Sequence, residues 1–535
     1  MITWLRNMHL TFGASFIWLI ALIYFTQGFR SFVWTAVSYQ LKDMLKFSPS
    51  ASQLVVSVAF FPWSIKPLYG VLSDCIPIKG KKRLPYLAIA SILSLFPWIL
   101  LGLIASLRSS PVFLTILLTL QNLGSAMADV VVDAMIAEAV RREREAFSGE
   151  LQSLSWSAMA LGGISGSLIG GYALTNLRIE TIFLLFSIFP TVQLFSCGLV
   201  KEIPSCDEVL VNHAKMDAET DSNKAESNVR NPIEGGVMDL QDGWVKIQNG
   251  LSMEKSVEYK KPDGDVARNL DKDNLGATPK VGTMRRRKRN PNEENLKAIP
   301  TQSELHEKKS LALKWFLSLR LAIRSLFEAF RRPIVLRPMT WFFLSNVTIP
   351  NISTIMFYYQ TEVLHLEASF LGTARVVGWV GLMLGTFTYN RYLKHMKLRR
   401  ILMWAHVGLA IFTLLDGLLV SRLNVTFGIS DKALVLFGST LADAINQLKL
   451  MPFLIISGQL CPPGIEGTLF ALFMSINNLG STLGSFLGAG LASALHISHQ
   501  SFDNLLLAII IQVACTLIPL GFLFLIPKQA TGASS

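Results

Sequence analysis

Two aspartates, Asp129 and Asp133, stand four residues apart in a long apolar run. In a helix this spacing places both carboxylates on one face, about one turn apart. Two such groups in a low-dielectric environment cannot both ionise at low cost, so we expect the pair to hold one proton and to titrate in coupled steps. The pattern indicates proton carriage. The alternative is a structural carboxylate paired with a basic residue inside the fold.

Basic residues also interrupt apolar runs, where contact with lipid is unfavourable. Arginine grips a carboxylate through two parallel hydrogen bonds, so Arg30 and Arg375 are the first candidates for binding an anionic substrate. Lys66 is a further candidate, and Gln27, one turn before Arg30, is placed to read the edge of a heterocycle. Lys449 is the fourth buried cation, and any of the four could instead pair with an aspartate or extend to the membrane interface.

The composition of the 535-residue chain identifies the elements that must position these side chains. Hydrophobic residues make up 51% and charged residues 16%, against about 25% charged in ordinary soluble domains. The five cysteines are scattered, which excludes a disulfide-stapled module. The net charge of +12 does not indicate a partner nucleic acid, because Lys and Arg occupy short gaps between apolar runs and one long polar insert. We predict a multi-pass protein of the lipid bilayer.

Twelve apolar runs are long enough to cross the bilayer as helices, which requires about 20 residues each. Six precede the polar insert and six follow it, so the predicted fold is an all-α membrane protein with two six-helix bundles. The predicted spans are 12–38, 52–75, 84–107, 112–140, 149–175, 180–200, 337–362, 368–390, 399–421, 432–459, 464–494 and 503–527.

Lys and Arg in the short loops orient the chain, because they favour the cytosolic side of a membrane. Basic clusters follow spans two, four and eight, whereas the alternate loops are poorer in basic residues. We therefore expect both termini and the insert in the cytosol. The first span begins too early for a cleavable transit peptide to precede it. The sequence does not indicate which membrane the protein occupies.

Four segments follow from this pattern. Residues 1–200 and 333–535 are the predicted bundles, the second with a short tail. The insert at 201–310 is rich in Asp, Glu, Lys, Asn and Ser and has no apolar periodicity, so we predict a disordered cytosolic linker. Within 311–332 apolar residues recur at helical spacing opposite basic ones, which predicts an amphipathic helix in the membrane interface.

The two halves repeat each other in sequence. Ser125 to Asp129 matches Ser439 to Asp443, which places one intramembrane aspartate on another. Chance matching of apolar helices is the alternative, but an aspartate costs about 2.5–3.5 kcal/mol at mid-membrane, so a coincident pair favours duplication. Because six is even, equivalent spans run in the same direction. Asp443 has Gln447 one turn later, where a second carboxylate would stand. This asymmetry is consistent with protons handled in one half and substrate, near Asp443, in the other.

Nine further matches support the repeat after the next loop. At an offset of 318 residues, the first-half positions meet identical residues in the second half. The first-half members are Gly149, Leu151, Leu154, Ser157, Leu161, Gly162, Gly166, Ser167 and Gly170. A parallel duplication of this kind resembles the major facilitator architecture, which encloses a cavity between its halves.

A glycine, three residues and an aspartate, Gly70 to Asp74, precede a basic cluster that ends at Arg83. This arrangement resembles the loop that follows span two in major facilitator transporters. Asp74 can pair with the basic loop or cap a neighbouring helix in one of two states, which would bias a gate. Gly70, Asp74 and Arg83 are therefore candidate gating residues. The alternative is that the basic residues only mark the cytosolic side.

Catalytic chemistry is not predicted. The sequence has no zinc or nucleophile spacing and no glycine-rich phosphate loop. We therefore expect no catalytic residue, no metal and no cofactor, and a monomeric protein.

Several longer stretches resemble the folate-biopterin transporter family, and most closely its plant branch. They are Tyr24 to Gly28, Phe61 to Gly70 with Ser73 and Asp74, Ala128 to Ala134, Leu151 to Ser153, and Cys461 to Leu472. The resemblance implies a twelve-span carrier of folates or pterins, with proton coupling expected. By position it implicates Asp129, Asp133 and Lys66 as functionally sensitive.

The residues and the resemblance together predict a secondary active transporter that moves folate or a related pterin by alternating access, coupled to protons. The pterin ring is expected to lie against aromatic side chains, with Gln27 at its edge. Two alternatives remain: a carrier of a different organic anion or metabolite, and a non-transporting receptor or scaffold that acts through the cytosolic insert. The candidate ring-stacking residues, which could instead anchor helices at the interface, are Trp34, Trp63, Trp156 and Trp379.

Overall fold

The computed structural model describes residues 8–143, 148–200 and 316–527, except 318, 322, 325, 329, 394 and 461–465. The predicted linker at 201–310 lies outside the described residues.

The described part of the first half contains seven α-helices of ten or more residues, which account for six membrane crossings. Long apolar runs form helices here because all backbone polar groups are then satisfied within each segment. Pro49 and Pro111 stand at helix starts, where the missing N–H has no helical partner. The helices are α1 (Ala14–Tyr39), α2 (Pro49–Phe60), α3 (Lys66–Cys75), α4 (Leu84–Leu103), α5 (Pro111–Glu143), α6 (Ser148–Asn176) and α7 (Ile179–Leu199).

The second half repeats this order. Its helices are α8 (Pro333–Val347), α9 (Ser353–Glu362), α10 (Ala368–Thr388), α11 (Leu398–Val420), α12 (Asp431–Leu460), α13 (Glu466–Ala494) and α14 (Leu505–Leu517). Nine helices in the described part of the chain are long and apolar enough to cross a membrane. The helices α12 and α13 are not among them, although they are 30 and 29 residues long, and both carry polar side chains within the crossing.

Three predicted spans are not continuous α-helices in the described residues. The span predicted at 503–527 changes at Ile518 from α14 to a 3₁₀ segment, Ile518–Leu525. The span predicted at 52–75 is interrupted by a 3₁₀ segment, Phe61–Ile65, between α2 and α3. The span predicted at 337–362 breaks between α8 and α9 around Pro350, which has no N–H and disfavours the helical conformation of the residue before it. The freed Asn351 N–H donates to the Gly484 carbonyl oxygen at 2.9 Å. The apolar runs of the sequence did not indicate these interruptions.

Glycines that match in the sequence repeat also make matching contacts. A Cβ at Gly162 would lie 2.1 Å from the Phe25 carbonyl oxygen, and a Cβ at Gly480 would lie 3.0 Å from that of Phe343. Both members of the second pair follow those of the first by 318 residues. Small residues thus bring α6 onto α1 and α13 onto α8 in the same way. The two halves are pseudo-symmetric, as predicted.

The halves contact each other at the end of the fold that carries the loop between α1 and α2. Ser52 Oγ and Tyr358 OH are 2.6 Å apart, and the Thr354 N–H donates to Gln53 Oε1 at 3.2 Å. On the opposite side of the interface α6 meets α10, where a Cβ at Gly171 would lie 2.8 Å from the Ala368 carbonyl oxygen. The two halves are therefore in direct contact at this end of the fold.

The described residues of the segment at 311–332 are helical almost throughout. Phe316, Leu321 and Phe327 expose 59%, 63% and 64% of their surface, and Arg324 pairs with Glu328 on the same segment. An apolar face and a charged face are therefore both present here. Its position in the membrane interface stays a prediction.

Candidate functional site

The helix α5 carries the polar side chains of the site along one face. Asn122, Asp129 and Asp133 follow at intervals of seven and four residues, which corresponds to two turns and one turn of helix. Because α5 packs against α2, α3 and α4 within the first half, this face is turned into the fold, away from lipid. The side chain of Asp129 is only 14% exposed.

Lys66 is the ion-pair partner of Asp129. The two are joined by a Lys66 Nζ to Asp129 Oδ2 distance of 2.5 Å, and the lysine side chain is 5% exposed. Lys66 is the first residue of α3, directly after the 3₁₀ segment, so the break in this span places the ammonium beside α5. Of the basic residues considered as partners from sequence, the structure therefore brings Lys66 to Asp129.

Asp133 has a neutral partner instead. The Tyr24 hydroxyl of α1 donates a hydrogen bond to Asp133 Oδ1. Tyr24 is buried, with 7% of its surface exposed. The two carboxylates predicted as a pair thus lie in one region but differ in their surroundings, one beside a cation and the other beside a phenol. Such a difference favours different roles for the two groups.

Arg30 lies next to this pair with neutral contacts. Its Nη2 donates to Asn122 Oδ1 at 2.5 Å, and its Nη1 donates to Gln27 Oε1 at 3.4 Å. Arg30 has no ion-pair partner among the described residues, and its Nε is buried without a hydrogen-bond acceptor there. The guanidinium therefore keeps donor capacity for a ligand.

Aromatic rings enclose the Arg30 guanidinium. Its central carbon lies 5.9 Å from the centre of the Trp34 ring, 5.5 Å from Phe60 and 5.1 Å from Trp63. Lys66 Nζ lies 4.7 Å from the same Trp63 ring, and Trp63 Nε1 donates to Asn122 Oδ1 at 2.9 Å. Such rings attract cations through their faces. Trp63 therefore links the Arg30 and Lys66 groups into one network.

Gln27 lines a small polar cavity beside this network. Its Nε2 donates to the Ser125 carbonyl oxygen at 3.1 Å. Arg30, Ser94 and Gln193 line the same cavity inside the first half. Gln27 is thus close to Arg30, as the sequence spacing predicts, and its side chain points toward α5.

Arg375 is placed at the interface between the halves. It lies on α10, and its Nη1 donates to Thr35 Oγ1 on α1. Thr35 follows Arg30 by five residues on the same helix. Arg375 has no ion-pair partner among the described residues. The structure thus brings Arg375 to the helix that carries Arg30.

Asp443 lacks the lysine that its counterpart has. Its Oδ2 lies against α10, where a Cβ on Gly378 would be 2.3 Å away. Span two also repeats in span eight, at an offset of 315 residues, with Gly70 and Lys79 matching Gly385 and Lys394. This offset places Gly381 at the position equivalent to Lys66. The second half therefore has the equivalent aspartate but no lysine that corresponds to Lys66. Among the described contacts, Asp443 does not join the network around Arg30.

Arg83 connects three elements at the other end of the first half. Its Nη2 lies 2.5 Å from Asp74 Oδ1 and 2.6 Å from Glu138 Oε1, and its Nη1 donates to Ser73 Oγ at 2.7 Å. Burial alone would lower the pKa of the Arg83 guanidinium, but the two carboxylates outweigh burial and raise it. The structure thus brings Asp74 and Arg83 together.

Gly70 does not require a glycine for close packing in this conformation. A Cβ there would lie 3.5 Å from Val130 Cγ1, an ordinary contact. The matching Gly385 of the second half is tight, since a Cβ there would lie 2.4 Å from the Ala444 carbonyl oxygen. In this conformation close helix packing therefore requires a glycine at Gly385 but not at Gly70.

Sequence reasoning missed three residues of these networks: Tyr24, Asn122 and Glu138. A signal was present for two of them. Tyr24 precedes Gln27 by three residues, and Asn122 precedes Asp129 by seven, so each lies on the same helical face as a residue that was identified. Glu138 carries no such signal, because only the fold brings the end of α5 to Arg83.

No group of three or more His, Cys, Asp or Glu side chains suited to a metal ion occurs in the described ranges.

The ionisable side chains of the site lie inside a fold of two pseudo-symmetric six-span halves. This is the major facilitator fold, and the protein is a membrane transporter of that class.

The comparisons with known proteins agree with this class. The chain belongs to the BT1 family, whose model matches residues 27–533. It is 58% identical to the probable folate-biopterin transporter 4 of Arabidopsis thaliana over the full length of both chains. It is 28% identical to the folate-biopterin transporter of Synechocystis, over 94% of this chain and 80% of that protein. The predicted resemblance to this family and to its plant branch is confirmed.

Solved transporters share the fold at low sequence identity. The nucleoside transporter NupG has a TM-score of 0.57 at 9% identity, covering 96% of this chain and 98% of that one. A D-xylose-proton symporter has a TM-score of 0.57 at 11% identity, covering 97% and 98%. Because relatives and fold are those of transporters, the protein is not an enzyme.

Proposed function

We propose that the protein carries folate or a related pterin across the membrane together with a proton, by alternating access. The observation that carries this proposal is the network of Arg30, Lys66, Asp129 and Asp133, in which one cation has neutral partners only. The names of the family relatives support the substrate class. Ionisable groups inside a membrane protein are costly, and a transport pathway accounts for their presence.

The charge balance of this network accounts for the proposed coupling of substrate binding to proton binding. With both carboxylates ionised, the two cations and two carboxylates of the network sum to zero. A proton on Asp133 leaves the network with one positive charge in excess, concentrated on Arg30, because Lys66 remains paired with Asp129. An anion then binds more favourably with a proton than without one. Asp133 is therefore the proposed proton carrier, and Asp129 holds Lys66 in place.

The surroundings of Arg30 suit a flat heterocycle. Trp34 and Trp63 offer ring faces, and Gln27 offers an amide that matches alternating donors and acceptors on a ring edge. Arg375, on the facing half, adds a second guanidinium near α1. We propose that Asp443, which has no cation partner among the described residues, contacts the substrate from the second half.

The contacts between the halves supply the gates. We propose that Ser52, Tyr358 and the α6–α10 contact close one side of the pathway in the state described here. Gly70, Asp74 and Arg83 belong to the proposed gate at the opposite end, where Arg83 ties α3 to the end of α5. The loops rich in Lys and Arg support a cytosolic location for that end and for both termini. A monomer is sufficient, because one chain contains both halves.

The test is uptake of labelled folate by a host that requires external folate. Cells that express the full-length protein should take up folate faster than cells with empty vector, and unlabelled folate or biopterin should compete. An unrelated organic anion such as citrate should not compete. Competition by citrate with none by biopterin would contradict the proposed substrate class.

A further inference from the structure

A second polar cluster lies in the other half of the protein. Lys449 Nζ on α12 donates to Asn346 Oδ1 on α8 at 3.1 Å. Asn346 Nδ2 in turn donates to Asn477 Oδ1 on α13 at 2.9 Å and to the Phe342 carbonyl oxygen at 3.0 Å. Three helices thus contribute one residue each to this cluster, named the Lys449 cluster below.

The Lys449 cluster has donors in excess. Lys449 has no ion-pair partner among the described residues, and one of its three N–H groups has a recorded acceptor. The amide oxygens of Asn346 and Asn477 already accept hydrogen bonds, while Asn477 Nδ2 has no acceptor among the same residues. A cation and an amide N–H that lack acceptors can both donate hydrogen bonds to a carboxylate.

The cluster is accessible and lies next to the first-half network. Lys449, Asn346 and Asn477 are all partly exposed. Asn478, the residue after Asn477, donates from Nδ2 to the Trp63 carbonyl oxygen at 3.1 Å. Adjacent residues of a helix point about 100° apart. Asn477 of α13 therefore faces the Lys449 cluster, and Asn478 faces Trp63 of the first-half network. One helix therefore connects the Lys449 cluster to the segment whose Trp63 ring covers Arg30 and Lys66.

We infer that Lys449, Asn346 and Asn477 bind a carboxylate on the tail of the substrate. The ring lies against the aromatic side chains of the first half, and the tail reaches the Lys449 cluster in the second. This inference rests on the proposed function. It assigns to Lys449 a substrate contact that a neutral pterin without a carboxylate cannot make.

The test compares two probes that share the ring and differ in the tail. Full-length protein in proteoliposomes is assayed for uptake of labelled folate and of labelled biopterin, which has no carboxylate. Removing a charge-assisted hydrogen bond weakens binding by about tenfold or more. Lys449→Gln should therefore reduce folate uptake at low concentration by about tenfold and leave biopterin uptake within about twofold of the wild type.

Two further variants separate charge from folding. Lys449→Arg keeps the cation and should retain most folate uptake. Asn477→Asp leaves Lys449 in place but supplies a competing carboxylate, so it should lower folate uptake and spare biopterin. Lys432→Gln is the matched control, because Lys432 is an exposed lysine on the same helix, and it should behave as the wild type.

The inference is overturned if Lys449→Gln transports folate as well as the wild type, or if it loses folate and biopterin uptake equally. A wild-type protein that transports neither probe would contradict the proposed function itself and the inference with it. The two failures are thus distinguished by the wild-type measurement.

Discussion

Lys66 Nζ lies 2.5 Å from Asp129 Oδ2, and the two side chains are 5% and 14% exposed. This ion pair joins the start of α3 to the middle of α5. It forms where a 3₁₀ segment interrupts the second span, so the irregular backbone and the buried charge occur at the same place. The ion pair therefore stabilises the interrupted backbone of this span. It also fixes the position of the Asp129 carboxylate.

Removing one partner of this pair should destabilise the protein strongly. Lys66→Met leaves Asp129 buried without its cation, and loss of one partner of a buried pair costs about 3–5 kcal/mol. The thermal unfolding midpoint of the purified protein should fall clearly, and folate uptake should be lost. The double variant Lys66→Met with Asp129→Asn should recover stability without recovering uptake.

An exposed pair provides the control for this prediction. Arg324 and Glu328 are 77% and 61% exposed, so Arg324→Met should leave the thermal unfolding midpoint almost unchanged. A Lys66→Met variant as stable as Arg324→Met would contradict the structural role of the Lys66–Asp129 pair.

The two carboxylates should respond differently to neutralisation. Asp133→Asn mimics the protonated carboxyl, so it should abolish pH-driven accumulation of folate while exchange of folate across the membrane continues. Asp129→Asn leaves Lys66 without its partner and should abolish both. Asp503→Asn, at an exposed loop position, should change neither. Accumulation by Asp133→Asn that still follows the pH gradient would argue against Asp133 as the proton carrier.

The contact between α6 and α10 should be needed to close the proposed transport pathway at one end. A Cβ at Gly171 would lie 2.8 Å from the Ala368 carbonyl oxygen, whereas nothing lies within 4 Å of a Cβ at Gly490. Gly171→Leu should therefore stop transport while the protein still reaches the membrane, and Gly490→Leu should be tolerated. Uptake and surface amount are measured together. Normal uptake by Gly171→Leu would mean that this end closes through other contacts.

The rate of uptake should be sensitive to replacement of the planar Arg83 guanidinium. It reaches Asp74 and Glu138 at once, which a single ammonium matches poorly. Arg83→Lys should lower the initial rate of uptake, and Arg83→Gln should lower it further, because two carboxylates then lose their cation. Arg178, which is 86% exposed, provides the control Arg178→Gln. Equal rates for Arg83→Gln and Arg178→Gln would exclude a gating role for Arg83.

Much of this architecture follows from the sequence, for definite physical reasons. Long apolar runs in a bilayer have few alternatives to helices, and the repeated glycines, such as Gly162 and Gly480, indicate both the duplication and the helices that touch. The helical breaks near Phe61–Ile65 and Pro350 were not predicted, because both segments contain a proline but other spans continue through one, as at Pro97 and Pro190. Proline alone does not end a membrane helix.

The site was predicted less completely than the fold. Isolated charges in apolar runs identified Arg30, Lys66, Asp129 and Asp133, because such residues are rare without a role. Their partners depend on which helices meet, and local spacing does not give that. The Lys449 cluster is the clearest case, since Asn346 on α8 lies 103 residues before Lys449 on α12, and only the fold brings the two together.

The most direct measurement is proton movement driven by folate. Proteoliposomes that contain the wild-type protein and a trapped pH indicator receive external folate with no initial pH difference. The lumen should acidify as folate enters, and acidification should be absent with Asp133→Asn. Entry of folate without acidification, or equal acidification with Asp133→Asn, would contradict transport of the substrate together with a proton through this site.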